Sequence, residues 1–149
     1  MPKFRYRMQN ILDIKLKLEE QAKNEYAQAQ LKYNEELEVK EELCRRKNGF
    51  VEKGMQLRED TLDVRLIRLN DNAIRSMDAL IEKQETEVKR AEKNLDAKQA
   101  ALTQVMQERK MHEKLKEKAL EEYNEEEKSA ESKTVDELTS YIYGIKEND

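Results

Sequence analysis

The chain has 149 residues, of which 42% are charged and 37% hydrophobic, and it contains only three glycines and one proline. So few helix-breaking residues argue against a globular domain with many turns and favour long helices. The net charge of −4, from 29 basic and 33 acidic residues, lacks the basic excess typical of nucleic-acid binding, and no apolar run approaches the ~18 residues of a membrane span.

The first predicted helix covers about residues 3–48. Its apolar residues recur at steps of four and three, the spacing of one face of a coiled-coil helix. Four of the twelve positions on this face are charged, and a second stripe, from Ala22 to Leu37, drifts across the helix surface. The seam residues predicted from the first stripe are Met8, Ile11, Leu18, Ala22, Val39 and Leu43.

The chain is predicted to reverse at about residues 49–60, between two periodic blocks. The Asn48-Gly49 pair and Gly54 are typical of a break in a helix. Asp60 or Thr61 would then serve as the N-cap of a second helix, because a short side-chain oxygen at this position accepts a hydrogen bond from a free backbone N–H.

The second predicted helix is longer, at about residues 61–128, and more regular. Eight of its ten seam positions between residues 74 and 105 are apolar, and charged residues fill the positions between them. The predicted seam residues are Ile74, Met77, Ile81, Val88, Ala91, Leu95, Leu102 and Val105.

A C-terminal tail at residues 129–149 is predicted to be short, and helical or frayed. It follows a weak break at 129–132, and Thr134 would cap its helical part. The predicted fold is therefore all-α: one domain forming a long antiparallel two-helix coiled-coil hairpin with a longer second helix.

The register of this hairpin follows from matching apolar positions on the two helices. Antiparallel pairs whose residue numbers total 113 form five apolar layers, for example Ile11 with Leu102 and Leu18 with Leu95. Pairs whose residue numbers total 120 form only four apolar layers, so the register with a total of 113 is preferred. In either register the second helix extends beyond the first from about residues 110–117.

The sequence offers little chemistry for catalysis. His112 and Cys44 are the only residues of their types, and nucleophilic catalysis needs several groups held together in a cleft. No glycine-rich phosphate-binding loop is present, and the acidic run at 125–127 lacks the spaced ligands of a calcium loop. We therefore expect no enzyme activity, no cofactor and no metal.

Two basic segments are the main candidates for partner binding. Residues 1–17 carry a charge of +4 and residues 109–118 a charge of +3, and an antiparallel hairpin brings these segments together at its open end. The alternative is an ordinary solvated helix surface. The candidate binding residues are Phe4, Arg5, Arg7, Arg109, Lys110, Lys114 and Lys118.

Motifs in both segments resemble those of a known family. The N-terminal motifs are Phe4-Arg5-Tyr6, Ile11-Leu12-Asp13-Ile14-Lys15 and Glu19-Glu20-Gln21-Ala22. The second is a charged block, Arg109-Lys110 followed by Glu113-Lys114-Leu115-Lys116-Glu117-Lys118, with an acidic stretch after it. Over nearly its full length the chain resembles the FliJ family, small coiled-coil components of the bacterial flagellar export apparatus.

The resemblance implies a non-enzymatic stalk, similar in fold to the paired helices of the F1-ATPase γ subunit. Its open end would enter the hexameric export ATPase FliI, and its other expected partners are the export gate protein FlhA and export chaperones. The expected location is the bacterial cytoplasm, peripherally at the export apparatus, with at most peripheral membrane association and no nucleic acid bound.

Three other functions remain open on the sequence alone. The chain could be the related stalk of a virulence-type type III secretion system, which the sequence does not exclude; the presence or absence of flagellar genes beside its gene would decide. It could be a free-standing coiled-coil export chaperone that binds one unfolded client. A coiled coil that binds nucleic acid through the basic open end is the third alternative, and it would show salt-dependent DNA retention.

Overall fold

The computed structural model describes residues 3–59 and 61–147, and in this part of the chain it contains two long helices and no strand. Helix α1 is Gln9–Glu59 and helix α2, the longer of the two, is Val64–Glu147. The helices are antiparallel, because Glu25 of α1 pairs with Lys98 of α2 whereas Lys47, later in α1, pairs with Asp78. The predicted two-helix hairpin with a longer second helix is confirmed.

The chain divides into two compact units. The terminal unit comprises described residues 3–19 and 104–147, and the loop unit comprises described residues 20–59 and 61–103. Both helices contribute to both units, so this division does not test the expected single domain, which stays a prediction.

Helix α1 continues through nearly all of the predicted reversal at 49–60. Gly49 and Gly54 both lie inside the helix, which ends at Glu59, so the predicted end near residue 48 is wrong. Glycine costs about 1 kcal/mol in a helix relative to alanine. Packing offsets this cost, because Phe50 and Leu57 are partly buried and Gly54 is buried.

Helix α2 begins at Val64, with Asp63 as its N-cap. Asp63 Oδ1 accepts hydrogen bonds from the backbone N–H groups of Arg65 (3.0 Å) and Leu66 (3.4 Å), as an N-cap side chain does. The predicted cap at Thr61 is therefore wrong, since Thr61 lies in a bend before the helix. The alternative cap, Asp60, lies outside the described residues.

The predicted break at 129–132 is not present. Helix α2 continues through it to Glu147, so the end predicted at about residue 128 is wrong. The Thr134 hydroxyl donates to the carbonyl of Ala130 at 3.0 Å, a bond that threonine makes inside a helix, and it does not cap a separate helix.

The observed register differs from both predicted ones. In the loop unit, Gly54 lies directly against Asn70, so the numbers of facing residues total 124. In the terminal unit, Lys15 pairs with Glu108, a total of 123. The predicted total of 113 was wrong because it assumed a reversal centred too early, whereas the helices are joined at residues 60–63.

The packed face of α1 matches the predicted seam only at Ala22, which is buried, and Leu43, which is partly buried. Met8, Ile11, Leu18 and Val39 are each 38–47% exposed, so they were wrongly assigned to the seam. The buried residues of α1 follow the second stripe and its extensions towards both ends of the helix. They are Leu12, Glu19, Ala22, Ala29 and Gly54, with Tyr26, Tyr33 and Leu43 partly buried between them.

The packed face of α2 follows the predicted positions. Val88 and Ala91 are buried, and the other predicted seam residues of this helix are partly buried. The same three-four spacing continues into the terminal unit through Arg109, His112 and Tyr123, which are also buried or partly buried.

Polar side chains fill many positions of the seam. In the loop unit, Gln84 Nε2 donates to the Glu36 carbonyl (2.9 Å) and also to its carboxylate, and Asn70 Nδ2 donates to the Phe50 carbonyl at 2.9 Å. A buried amide tolerates only the register that satisfies it, so these bonds help to select one pairing of the helices.

Alanine substitution at two glycines distinguishes close packing from simple helix propensity. A Cβ on Gly54 would lie 2.5 Å from Asn70 Nδ2, whereas nothing lies within 4 Å of a Cβ on Gly49. Gly49→Ala should therefore stabilise the fold by about 1 kcal/mol. Gly54→Ala displaces Asn70 from the Phe50 carbonyl, costing about 1–3 kcal/mol, and should lower the melting temperature followed by circular dichroism.

Asn70→Ala provides the control for this displacement. If Asn70 causes the cost, Gly54→Ala should no longer destabilise a chain that already carries Asn70→Ala. A Gly54→Ala chain that melts above the parent, as Gly49→Ala should, would contradict the close approach of the two helices.

Candidate partner-binding surface

The N-terminal segment of the terminal unit packs against α2 before α1 begins. The Phe4 and Tyr123 rings are 5.5 Å apart between centroids and tilted by 51°, a favourable aromatic geometry. The Gln9 N–H donates to the Tyr6 carbonyl at 3.1 Å, which closes a turn at the start of α1. Phe4, a predicted binding residue, is thus partly buried in an internal contact.

Arg109, another predicted binding residue, is also bound internally. Its Nε and NH2 groups donate to the two carboxylate oxygens of Glu19 at 2.6 and 3.1 Å, and NH1 donates to Glu113 at 2.9 Å. The Glu19 side chain is 7% exposed. These carboxylates, Glu19 first, raise the pKa of Arg109, so the guanidinium stays charged within the fold.

A second ion pair lies beside the first. Lys15 Nζ is 2.8 Å from Glu108 Oε2, and the lysine lowers the pKa of Glu108. His112 is buried on the next turn of α2, and its Nδ1 has no hydrogen-bond partner among the described residues. Together the two ion pairs form a charged layer that joins the first turns of α1 to α2.

Lysines form an outward face on α2 in the same unit. Lys110, Lys114 and Lys118 are exposed and spaced four residues apart, and within the described residues none of them makes an ion pair. They line a shallow groove with Gln107 and the exposed side chains of Met111 and Leu115. We call these six residues the lysine face.

The N-terminal cations lie in the same unit. Arg5 and Arg7 are exposed, and Arg5 lines a groove with Phe4, Tyr6, Gln9 and Lys116. The structure therefore brings together the two basic segments that the sequence analysis singled out.

An apolar groove in the loop unit was not predicted as a site. Leu66 and Leu69 are large and exposed, and they line this groove with residues from both helices. A possible signal was the apolar spacing of Leu62, Leu66 and Leu69 immediately after the reversal. We call it the loop groove; its lining residues are Phe50, Lys53, Leu57, Leu66, Leu69, Asn70 and Ala73.

The described residues do not form a metal site or a membrane span. No three His, Cys, Asp or Glu side chains within 3–59 and 61–147 are placed to share a metal ion. Neither helix, over the same residues, combines the length and apolarity needed to cross a bilayer.

The fold and its surfaces define a class of protein, an antiparallel coiled-coil hairpin that presents cationic and apolar faces. The family model described as "Flagellar FliJ protein" matches residues 4–148. The chain belongs to the FliJ family and is a component of flagellar protein export. No curated protein and no solved structure gives a significant match to the chain.

Proposed function

We propose that the terminal unit binds the hexameric export ATPase FliI, so that the protein acts there as a non-enzymatic stalk. The observation that carries this proposal is a row of three exposed lysines on one side of α2, those of the lysine face, with exposed Arg5 and Arg7 in the same unit. Family membership supports the choice of the export apparatus as the setting.

The lysine face has the chemistry of a steering surface for an acidic partner. Lys110, Lys114 and Lys118 present three charges along one side of a helix, and the exposed Met111 and Leu115 add apolar area beside them. Exposed charges raise the rate of encounter, and apolar contacts then slow dissociation. Arg109 contributes indirectly, because its bonds to Glu19 hold α1 against α2.

The loop groove is our candidate for a second partner. It combines exposed leucines with Lys53 at its edge, as expected for a site that receives an apolar helix face. We propose that this groove binds the export gate protein FlhA or an export chaperone. The protein would then work in the cytoplasm, peripherally at the membrane-bound apparatus.

The direct test is the turnover of purified FliI with and without this chain. Stimulation that saturates with the added chain is the expected result, and it should weaken as salt rises towards physiological strength, because exposed charges are screened. Unchanged turnover, together with capture of an unfolded export client, would instead favour a free-standing chaperone.

A further inference from the structure

The end of α2 carries an apolar stripe that none of the described residues covers. Val135, Leu138, Ile142 and Ile145 are each 47–59% exposed, and every described side chain from 128 to 145 is exposed. In the terminal unit, the N-terminal segment reaches α2 as far as Tyr123, where Phe4 packs. The overhang, defined here as residues 128–145, thus starts later than the predicted 110–117.

The stripe has the spacing of a coiled-coil seam. Its steps of three, four and three residues are those of a coiled-coil interface. Another helix is therefore the natural partner of the stripe.

We propose that this partner is the overhang of a second copy of the chain. Steps of three, four and three read the same in both directions, so two antiparallel copies match every apolar residue of the stripe with another. Val135 then faces Ile145 of the second copy, and Leu138 faces Ile142 of the second copy. Such a two-fold contact uses the same patch on both chains.

The residues beside the stripe suit an apolar contact. Thr134, Thr139 and Tyr141 occupy the flanking positions, which in the loop unit are often charged and paired across the helices, as in Lys40–Glu85. The Thr134 and Thr139 hydroxyls already donate to carbonyls of their own helix, at 3.0 and 2.9 Å. Covering them leaves no donor unsatisfied.

Charge repulsion selects the antiparallel arrangement. Residues 121–127 contain five glutamates, which two parallel copies would place side by side. In the antiparallel pairing, the two Glu127 residues are 26 positions apart, about 39 Å at the helical rise. This separation is several times the Debye length of ~8 Å at physiological salt.

The second copy also fits beside the N-terminal segment. In the proposed register Ile145 of the second copy lies opposite Val135, which is twelve residues beyond Tyr123 and so about 18 Å further along α2. The two contacts therefore use different parts of α2. A four-layer contact is small for a specific interface, so we expect a Kd of about 10–100 μM.

Sedimentation equilibrium from about 5 to about 500 μM, a range that brackets this Kd, tests the proposal. The parent should pass from a single chain of 17.7 kDa to a dimer. Leu138→Glu/Ile142→Glu should weaken association more than about tenfold with helicity unchanged, because it buries charge. Leu31→Glu/Met55→Glu, at two equally exposed positions elsewhere, is the matched control and should associate like the parent.

Disulfide formation tests the orientation, in a chain in which Cys44→Ser removes the native thiol. Leu138→Cys and Ile142→Cys chains should crosslink with each other when mixed, and neither should crosslink with itself. Self-crosslinking of Ile142→Cys would show a parallel pairing and overturn the proposal, as would a single-chain mass at every concentration.

This inference does not rest on the proposed ATPase binding, and the two can fail separately. Apolar association of the overhangs should be insensitive to salt, whereas binding through the lysine face should weaken with salt. Dimerisation without ATPase stimulation would contradict only the proposed function, and stimulation by a strictly single-chain protein would contradict only the dimer.

Discussion

Replacing Arg109 with methionine should lower the melting temperature of the chain by about 5–10 °C. Methionine keeps much of the apolar stem but removes both hydrogen bonds to the Glu19 carboxylate and the bond to Glu113. Because Glu19 is buried, its charge then loses a bidentate partner in a place that water reaches poorly. Thermal unfolding followed by circular dichroism measures the effect.

Lys110→Met is the matched control, since Lys110 is the adjacent cation and is exposed. It should change the melting temperature by no more than about 1–2 °C. A double replacement, Glu19→Leu with Arg109→Met, should recover most of the loss, because apolar residues can substitute for a buried ion pair when both charges are removed. If Arg109→Met and Lys110→Met had the same melting temperature, the internal role of Arg109 would be refuted.

Replacing Lys110 and Lys114 with glutamate should reduce stimulation of FliI by about tenfold or more, because reversed charges repel an acidic partner surface. Both lysines are exposed and make no ion pair within the described residues, so the melting temperature should not change. Turnover of FliI measured against the concentration of added chain, at low and at physiological salt, gives the result.

Arg65→Glu/Arg68→Glu is the control for this effect, because it makes the same charge change at two exposed positions of the loop unit. It should stimulate FliI like the parent. If the arginine variant failed and the lysine variant stimulated normally, the ATPase would bind the loop unit, and the assignment of partners to the two surfaces would be reversed.

Local sequence signals were insufficient to predict where the chain reverses. The Asn48-Gly49 pair and Gly54 are ordinary helix breakers in sequence, yet both glycines lie inside α1. Gly54 has a non-local role, since only a residue without Cβ leaves room for Asn70 on the other helix. That role is visible only when the partner of Gly54 is known.

The packed face of α1 was also not predictable from local sequence signals. Apolar spacing alone favoured Met8, Ile11 and Leu18, all of which are substantially exposed. The true face includes Lys15 and Glu19, whose charges are compensated by Glu108 and Arg109 on the other helix. A charged residue is acceptable in a seam only when its partner lies opposite, so its burial depends on the register.

Arg109 illustrates the consequence for function. In sequence it is one cation among several in the basic block 109–118, and nothing local distinguishes it from Lys110. In the fold it is directed towards Glu19 and is mostly buried, whereas Lys110 is exposed. The candidate site therefore loses Arg109 as a docking residue and keeps its neighbour.

The sequence by itself determined that this protein is helical, that its two helices form an antiparallel pair and that it resembles the FliJ family, because helix propensity, apolar periodicity and motifs are local properties of the chain. Tertiary structure alone decided the register, the face that α1 buries and the charges that remain free to bind. These depend on contacts such as Gly54 with Asn70 and Glu19 with Arg109, whose members are distant in sequence and whose energies exist only once the helices pair.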